Sequence, residues 1–134
     1  TASKVLEEFK ENNLLKKEID KIYFYFYANK NSMDFVDLQR IYYRIKLNDV
    51  ITYIENETIN PTIILFGSLA KAEAKESSDI DIALFTPTNK KLNLEEFEKK
   101  LNRKIQLFMF KNFGCVPDEL KYNILNGYKL RGNI

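Results

Sequence analysis

The chain has 134 residues, of which 45% are hydrophobic, and a formal net charge of +2; that suits one compact domain, or a small domain with an appendage. The absence of histidine excludes Ser-His and Cys-His catalysis, and a single cysteine, Cys115, allows no internal disulfide and makes a structural zinc site a poor reading. No run approaches the roughly 18 apolar residues that span a bilayer and no charged-then-apolar leader is visible, so a soluble, cytoplasmic, non-membrane protein is expected, with too mild a charge to mark nucleic-acid binding by itself.

Residues 3 to 12 predict a short helix, with Val5, Leu6 and Phe9 on one side and Lys4, Glu7, Glu8, Lys10 and Glu11 on the other. Asn12-Asn13 closes it. Leu14-Leu15 and a charged stretch lead to Ile22-Tyr23-Phe24-Tyr25-Phe26-Tyr27, an aromatic run of high β preference. Without interleaved Arg or Lys, that run is expected to be a buried strand or a self-association edge rather than a platform for stacking bases. Helix, charged turn and strand pair resemble the recognition helix and wing of archaeal winged-helix repressors. Residues 1–31 are therefore read as a partial winged-helix-like segment, a helix plus wing strands, and the resemblance implies a possible contact with duplex DNA. Six lysines face five acids between Thr1 and Lys30, whereas neutralising phosphates supplies most of a DNA reader's affinity; a dimerisation or packing arm stays open.

Asn29 to Ser32 is turn chemistry, and residues 34–134 form the second unit. A long helix is expected from about Asp34 to Asn56. Its apolar positions, Leu38, Ile41, Tyr42 and Ile45, then Leu47, Val50, Ile51 and Ile54, change phase near Lys46 to Asn48, which predicts a bend or break there. The helix should link the two units and then pack on a sheet. Asn60-Pro61 ends the connection, because proline pushes its predecessor into an extended conformation.

The stretch from Thr62 to Phe85, TIILFGSLAKAEAKESSDIDIALF, carries the chemistry. An apolar strand ends at Gly67-Ser68, and a second strand carries Asp79 and Asp81. Alternation along a strand puts both carboxylates on one face and Ile80 and Ile82 on the other. Two carboxylates on a rigid face are a platform for a divalent cation. Gly67 lets a phosphate approach the backbone, Ser68 offers a hydroxyl, and a helix expected from Leu69 to about Glu76 would turn its first amides toward an anion.

Gly-Ser, ten residues, then Asp-x-Asp is the signature of the nucleotidyltransferases related to DNA polymerase β, and residues Phe66 to Ile82 most resemble the minimal nucleotidyltransferases. In Ala70-Lys71-Ala72-Glu73 the lysine keeps a positive charge that the family takes from Arg, and Ala72 stands where the family has Gly. Asn123 to Leu130 is weakly similar to the family's last helix and tail, so the likeness spans roughly residues 34 to 132. The resemblance implies an NTP substrate, ATP first, held by Gly67, Ser68, Lys71 and Ser78, with Mg²⁺ or Mn²⁺ on Asp79 and Asp81. It also implies a possible HEPN ribonuclease partner, since such proteins serve as antitoxins, and winged-helix fusions are common.

Pro87 to Lys91 is a loop; Asn93 with Glu96 has the spacing of a capping box, and Leu94, Phe97 and Leu101 mark a helix ending among Lys99, Lys100, Arg103 and Lys104. Ile105 to Phe110 reads as a third strand, and Pro117, Asp118 and Glu119 open a last helix that stops near Gly127. Cys115 is expected to be a small buried apolar residue. The sum is an α+β chain: a polymerase β-like nucleotidyltransferase fold with a small mixed sheet flanked by helices, preceded by a short helix and a β-wing.

The third strand departs from the family, whose active members have a third carboxylate where Gln106 stands. A neutral amide is a poorer ligand for a hard cation and cannot be a general base. Two functions remain: an Mg²⁺-dependent enzyme moving a nucleoside monophosphate from an NTP to a hydroxyl on a protein or nucleic acid, and a degenerate domain serving as nucleotide sensor or partner platform in a DNA-binding regulator. A homodimer is compatible with either.

Overall fold

The computed structural model describes residues 2–20, 23–71 and 77–133. Helix α1 (Ala2–Glu11) ends at Asn13, whose positive φ of 64° turns the chain into β1 (Leu15–Asp20). Strand β2 (Tyr23–Ala28) returns antiparallel to it, Leu15 opposite Ala28 and Asp20 opposite Tyr23. The stretch expected as a charged turn is thus mostly strand. Lys17 fits there because its ammonium pairs with Glu7 of α1 and lies 5.7 Å from the Phe26 ring centre. Tyr23, Tyr25 and Tyr27 share one face and stay exposed, which corrects the expectation of a buried strand: among the described residues no third layer covers that face of the two-stranded hairpin.

The predicted break is complete. Helix α2 (Met33–Lys46), capped by the Ser32 hydroxyl accepting from the Phe35 amide, stops at Leu47, and α3 (Asn48–Glu57) follows. Leu47 is fully buried at the corner. Helix α3 buries Val50, Ile51 and Ile54, whereas α2 buries no residue fully and turns Leu38, Ile41, Tyr42 and Ile45 outward. The phase shift read from sequence therefore separates a stripe that faces the core from one that does not.

The main sheet has the order β5-β4-β3-β6, built from β3 (Thr62–Phe66), β4 (Ile80–Phe85), β5 (Ile105–Phe110) and β6 (Tyr128–Arg131). Strand β4 is antiparallel to β3 and parallel to β5, while β6 adds antiparallel to β3. Helix α4 (Glu95–Leu101) lies in the crossover that a parallel pair requires, and α5 (Asp118–Leu125) follows β5. This is the expected α+β architecture, with β6 as an unforeseen fourth strand.

Two smaller expectations change. The Asn93 side chain accepts from the Glu95 amide at 3.1 Å, one residue short of the capping-box geometry, and Leu94 occupies the cap without a side-chain bond. Cys115 is exposed in a short turn (Phe113–Cys115) rather than buried.

Strand alternation divides the core. Ile63, Leu65, Ile80, Ile82, Leu84 and Ile105 pack with α3 on one face, and Ile64, Phe66, Ala83 and Phe85 pack with Val116 and Ile124 on the other. Each fully buried Ile or Leu contributes about 1.5–3 kcal/mol. Among the described residues no helix is long and apolar enough to cross a membrane.

Candidate active site

The second face of the sheet ends in polar residues where β3 leaves the sheet and β4 and β5 enter it. Asp79 stands one residue before β4, and Asp81 lies within it, opposite Phe66 of β3 and beside Gln106 of β5. With Phe66 in the second core, this register puts Asp81 and Gln106 on its face, while Ile80, Ile82 and Ile105 anchor the same strands in the first.

Gly67 follows β3 with φ +75°, a conformation L side chains rarely adopt. A Cβ there would lie 2.4 Å from Asp81 Oδ2, so the carboxylate sits against the turn's backbone in space that only glycine leaves open. Gly67–Ala70, with Ser68, forms a single 3-10 turn, and Leu69 and Ala70 are buried in the first core. The expected helix from Leu69 to Glu76 is represented by this turn up to Lys71; residues 72–76, with Ala72 and Glu73, lie outside the described residues.

Gln106 Nε2 donates to Asp79 Oδ2 at 2.8 Å. The amide nitrogen must face the carboxylate, which only accepts. Burial raises the Asp81 pKa above the ordinary carboxylate value, and the negative charge of Asp79 adds to the rise. Two like charges are thus held close in a half-buried place, which disfavours the ionised pair in the absence of a cation. The donor set fits one hard divalent cation, and among the described residues no third carboxylate, cysteine or histidine joins it.

The other expected residues flank this centre. Lys71 Nζ donates to Asn123 Oδ1 of α5 at 3.1 Å. The Ser78 carbonyl accepts from Arg103 at 2.7 Å, and Arg103 also donates to the Tyr43 hydroxyl at 3.3 Å, fixing the entry to β4. Sequence reasoning missed Asn123 and Arg103 as partners, and it missed Gln39 and Arg40 of α2, which donate to the carbonyls of Leu69 (3.1 Å) and Ala70 (2.9 Å). No local pattern announces a bond across 30 residues of chain.

A glycine turn pressed against a strand-borne carboxylate pair, at one end of a mixed sheet, defines a candidate phosphate-and-metal centre. The family "Polymerase beta, Nucleotidyltransferase" matches residues 48–130, and the chain belongs to that family. The fold is also similar to a chain of a solved structure described as "Crystal structure of the toxin-antitoxin with AMP-PNP", with a TM-score of 0.52 and 21% identity over 64% of this chain and 73% of that one. At that identity the likeness is one of fold. No curated protein matches the sequence.

Proposed function

We propose that the chain is an Mg²⁺-dependent nucleotidyltransferase that moves a nucleoside monophosphate from an NTP, ATP first, to a hydroxyl on a protein or nucleic acid. The observation that carries this reading is the close approach of Asp81 to the Gly67 backbone, which would set a metal-holding carboxylate against a turn that seats phosphate. Asp79 and Asp81 would hold Mg²⁺ or Mn²⁺; bound there, the cation would neutralise phosphate charge and polarise the α-phosphoryl group. Gly67 and Ser68 would seat the polyphosphate and Lys71 would counter its charge; Ser78 stands at the entry to the carboxylate strand. The acceptor oxygen forms a bond to the α-phosphorus, the bond from that phosphorus to the α,β-bridging oxygen breaks, pyrophosphate leaves, and the hydroxyl proton passes to solvent.

The Gln106–Asp79 hydrogen bond favours a second reading, a catalytically degenerate domain that serves as nucleotide sensor or partner platform. An amide at this place leaves the acceptor hydroxyl without the third charge that the family's active members supply. A HEPN ribonuclease is the proposed partner protein; the toxin-antitoxin description of the similar structure supports a protein partner, and its AMP-PNP supports a nucleotide ligand. Homodimerisation and a cytoplasmic location are compatible with either reading, and contact with duplex DNA through α1 and the hairpin belongs to the regulator form.

Transfer of radiolabel from α-labelled ATP to candidate protein and RNA acceptors separates the two readings. Slow transfer by the wild type, raised by Gln106→Asp or Gln106→Glu, is the expected result. Brisk wild-type transfer unaffected by either substitution would overturn the role given to Gln106, and no transfer by any of the three would favour the sensor.

A further inference from the structure

We propose that Gln39 and Arg40 of α2 are positioning residues for the nucleotide's polyphosphate, acting through the backbone of the Gly67–Ala70 turn. The inference rests on the reading that this turn holds phosphate, and it adds a part of the site that lies outside the segment matched by the family.

The turn is too short to hold itself. It is one turn of 3-10 helix entered through a glycine at φ +75°, and 3-10 hydrogen bonds have poor geometry. Its carbonyls of Leu69 and Ala70 are instead bound by side chains of α2, Gln39 at 3.1 Å and Arg40 at 2.9 Å. The peptide unit is planar and trans, so its carbonyl and amide point in opposite directions. Fixing the Leu69 and Ala70 carbonyls toward α2 therefore fixes the course of the turn, which the Lys71 amide closes by donating to the Ser68 carbonyl at 3.3 Å, and with it the position from which the Lys71 side chain starts. Lys71 is the cation assigned to the polyphosphate.

Arg40 does more than one bond's work. Its Nη2 reaches the Asn126 carbonyl at 3.5 Å, and its guanidinium lies 5.9 Å from the Tyr128 ring centre, where α5 passes into β6. Asn123, which receives the Lys71 ammonium, stands on that same helix. One planar side chain thus ties α2, the phosphate turn and the α5–β6 corner into a single unit, a task suited to a guanidinium with its several fixed donors and poorly matched by a lysine.

Such an anchor has a signature that general loss of structure lacks, because it acts on phosphate and leaves the nucleoside alone. The test is calorimetric titration of the full chain, with Mg²⁺, by ATP, ADP, AMP and inorganic tripolyphosphate. Wild type, Gln39→Ala, Arg40→Ala and Arg40→Lys are compared, with apo melting temperatures recorded for each. Arg40→Ala should weaken ATP and tripolyphosphate about tenfold, ADP less and AMP least. Gln39→Ala should show the same order with a smaller loss, and Arg40→Lys should recover part of it. Equal loss for all four ligands, or wild-type affinity in both alanine variants, would overturn the inference while leaving the turn as the nucleotide site. No binding by the wild type would instead remove the underlying reading, and the inference with it. Gln39→Ala, which removes a single bond, keeps the test open if Arg40→Ala does not fold.

Discussion

Alternate residues of β4 meet opposite surroundings. Ile80, Ile82 and Leu84 are fully buried against the α3 side, whereas Asp81 faces Gly67 and Asp79 receives the Gln106 amide on the other side. The apolar face fixes register, because a slip of one residue would drive Asp81 into the first core and take Ile80 and Ile82 out of it. The polar face can then tolerate a repelling carboxylate pair. The buried residues of the strand carry stability, and the proposed chemistry would fall to the carboxylates at its polar end.

The largest expected effect tests the apolar face. Ile82→Ala should lower unfolding stability by about 2–5 kcal/mol in a denaturant titration, through lost burial and the cavity left behind. Nucleotide affinity of the fraction still folded should not change. A loss below about 1 kcal/mol would mean that Ile82 does not anchor the strand.

A smaller effect of opposite sign tests the polar face. The folded-state pKa of Asp81 is raised by burial and by Asp79. Its stability contribution is therefore fully present below the unfolded carboxylate pKa, where both states are protonated, and is lost as pH rises through the folded pKa. Asp81→Asn, which mimics the neutral acid, should melt higher than wild type at neutral pH, and the gain should shrink toward zero near pH 3. A destabilised asparagine variant at neutral pH would show that the charge pair is not strained.

Much of the sheet was legible because its strands carry strong local signals. Ile105–Phe110 has the bounds expected for it, and TIILF ahead of Gly67-Ser68, read as a buried strand, is one. The phase change at Leu47 located the break between α2 and α3. Strand β6 escaped because four residues with one buried side chain, Leu130, make too short a pattern and draw their order from pairing with β3. A helix and strand pair were expected at the start of the chain, but the charged residues of β1 read as a turn for a related reason: Lys17 is tolerated through Glu7, a partner on another element. At the site, strand alternation predicted the shared face of Asp79 and Asp81. The bonds of Gln39, Arg40 and Asn123 depend on tertiary approach, which leaves no spacing to read.

The central claim is that the Gly67 turn and the two aspartates form one site for a metal-bound nucleotide. The direct measurement is the melting temperature of the wild type and of the Asp79→Ala, Asp81→Ala double variant, each with and without millimolar ATP and Mg²⁺. A ligand bound only to the folded state stabilises it, by about 2.7 kcal/mol at one hundred times its Kd. The account predicts a clear upward shift for the wild type and none for the double variant; an unmoved wild type, or an equal shift in both proteins, would contradict it.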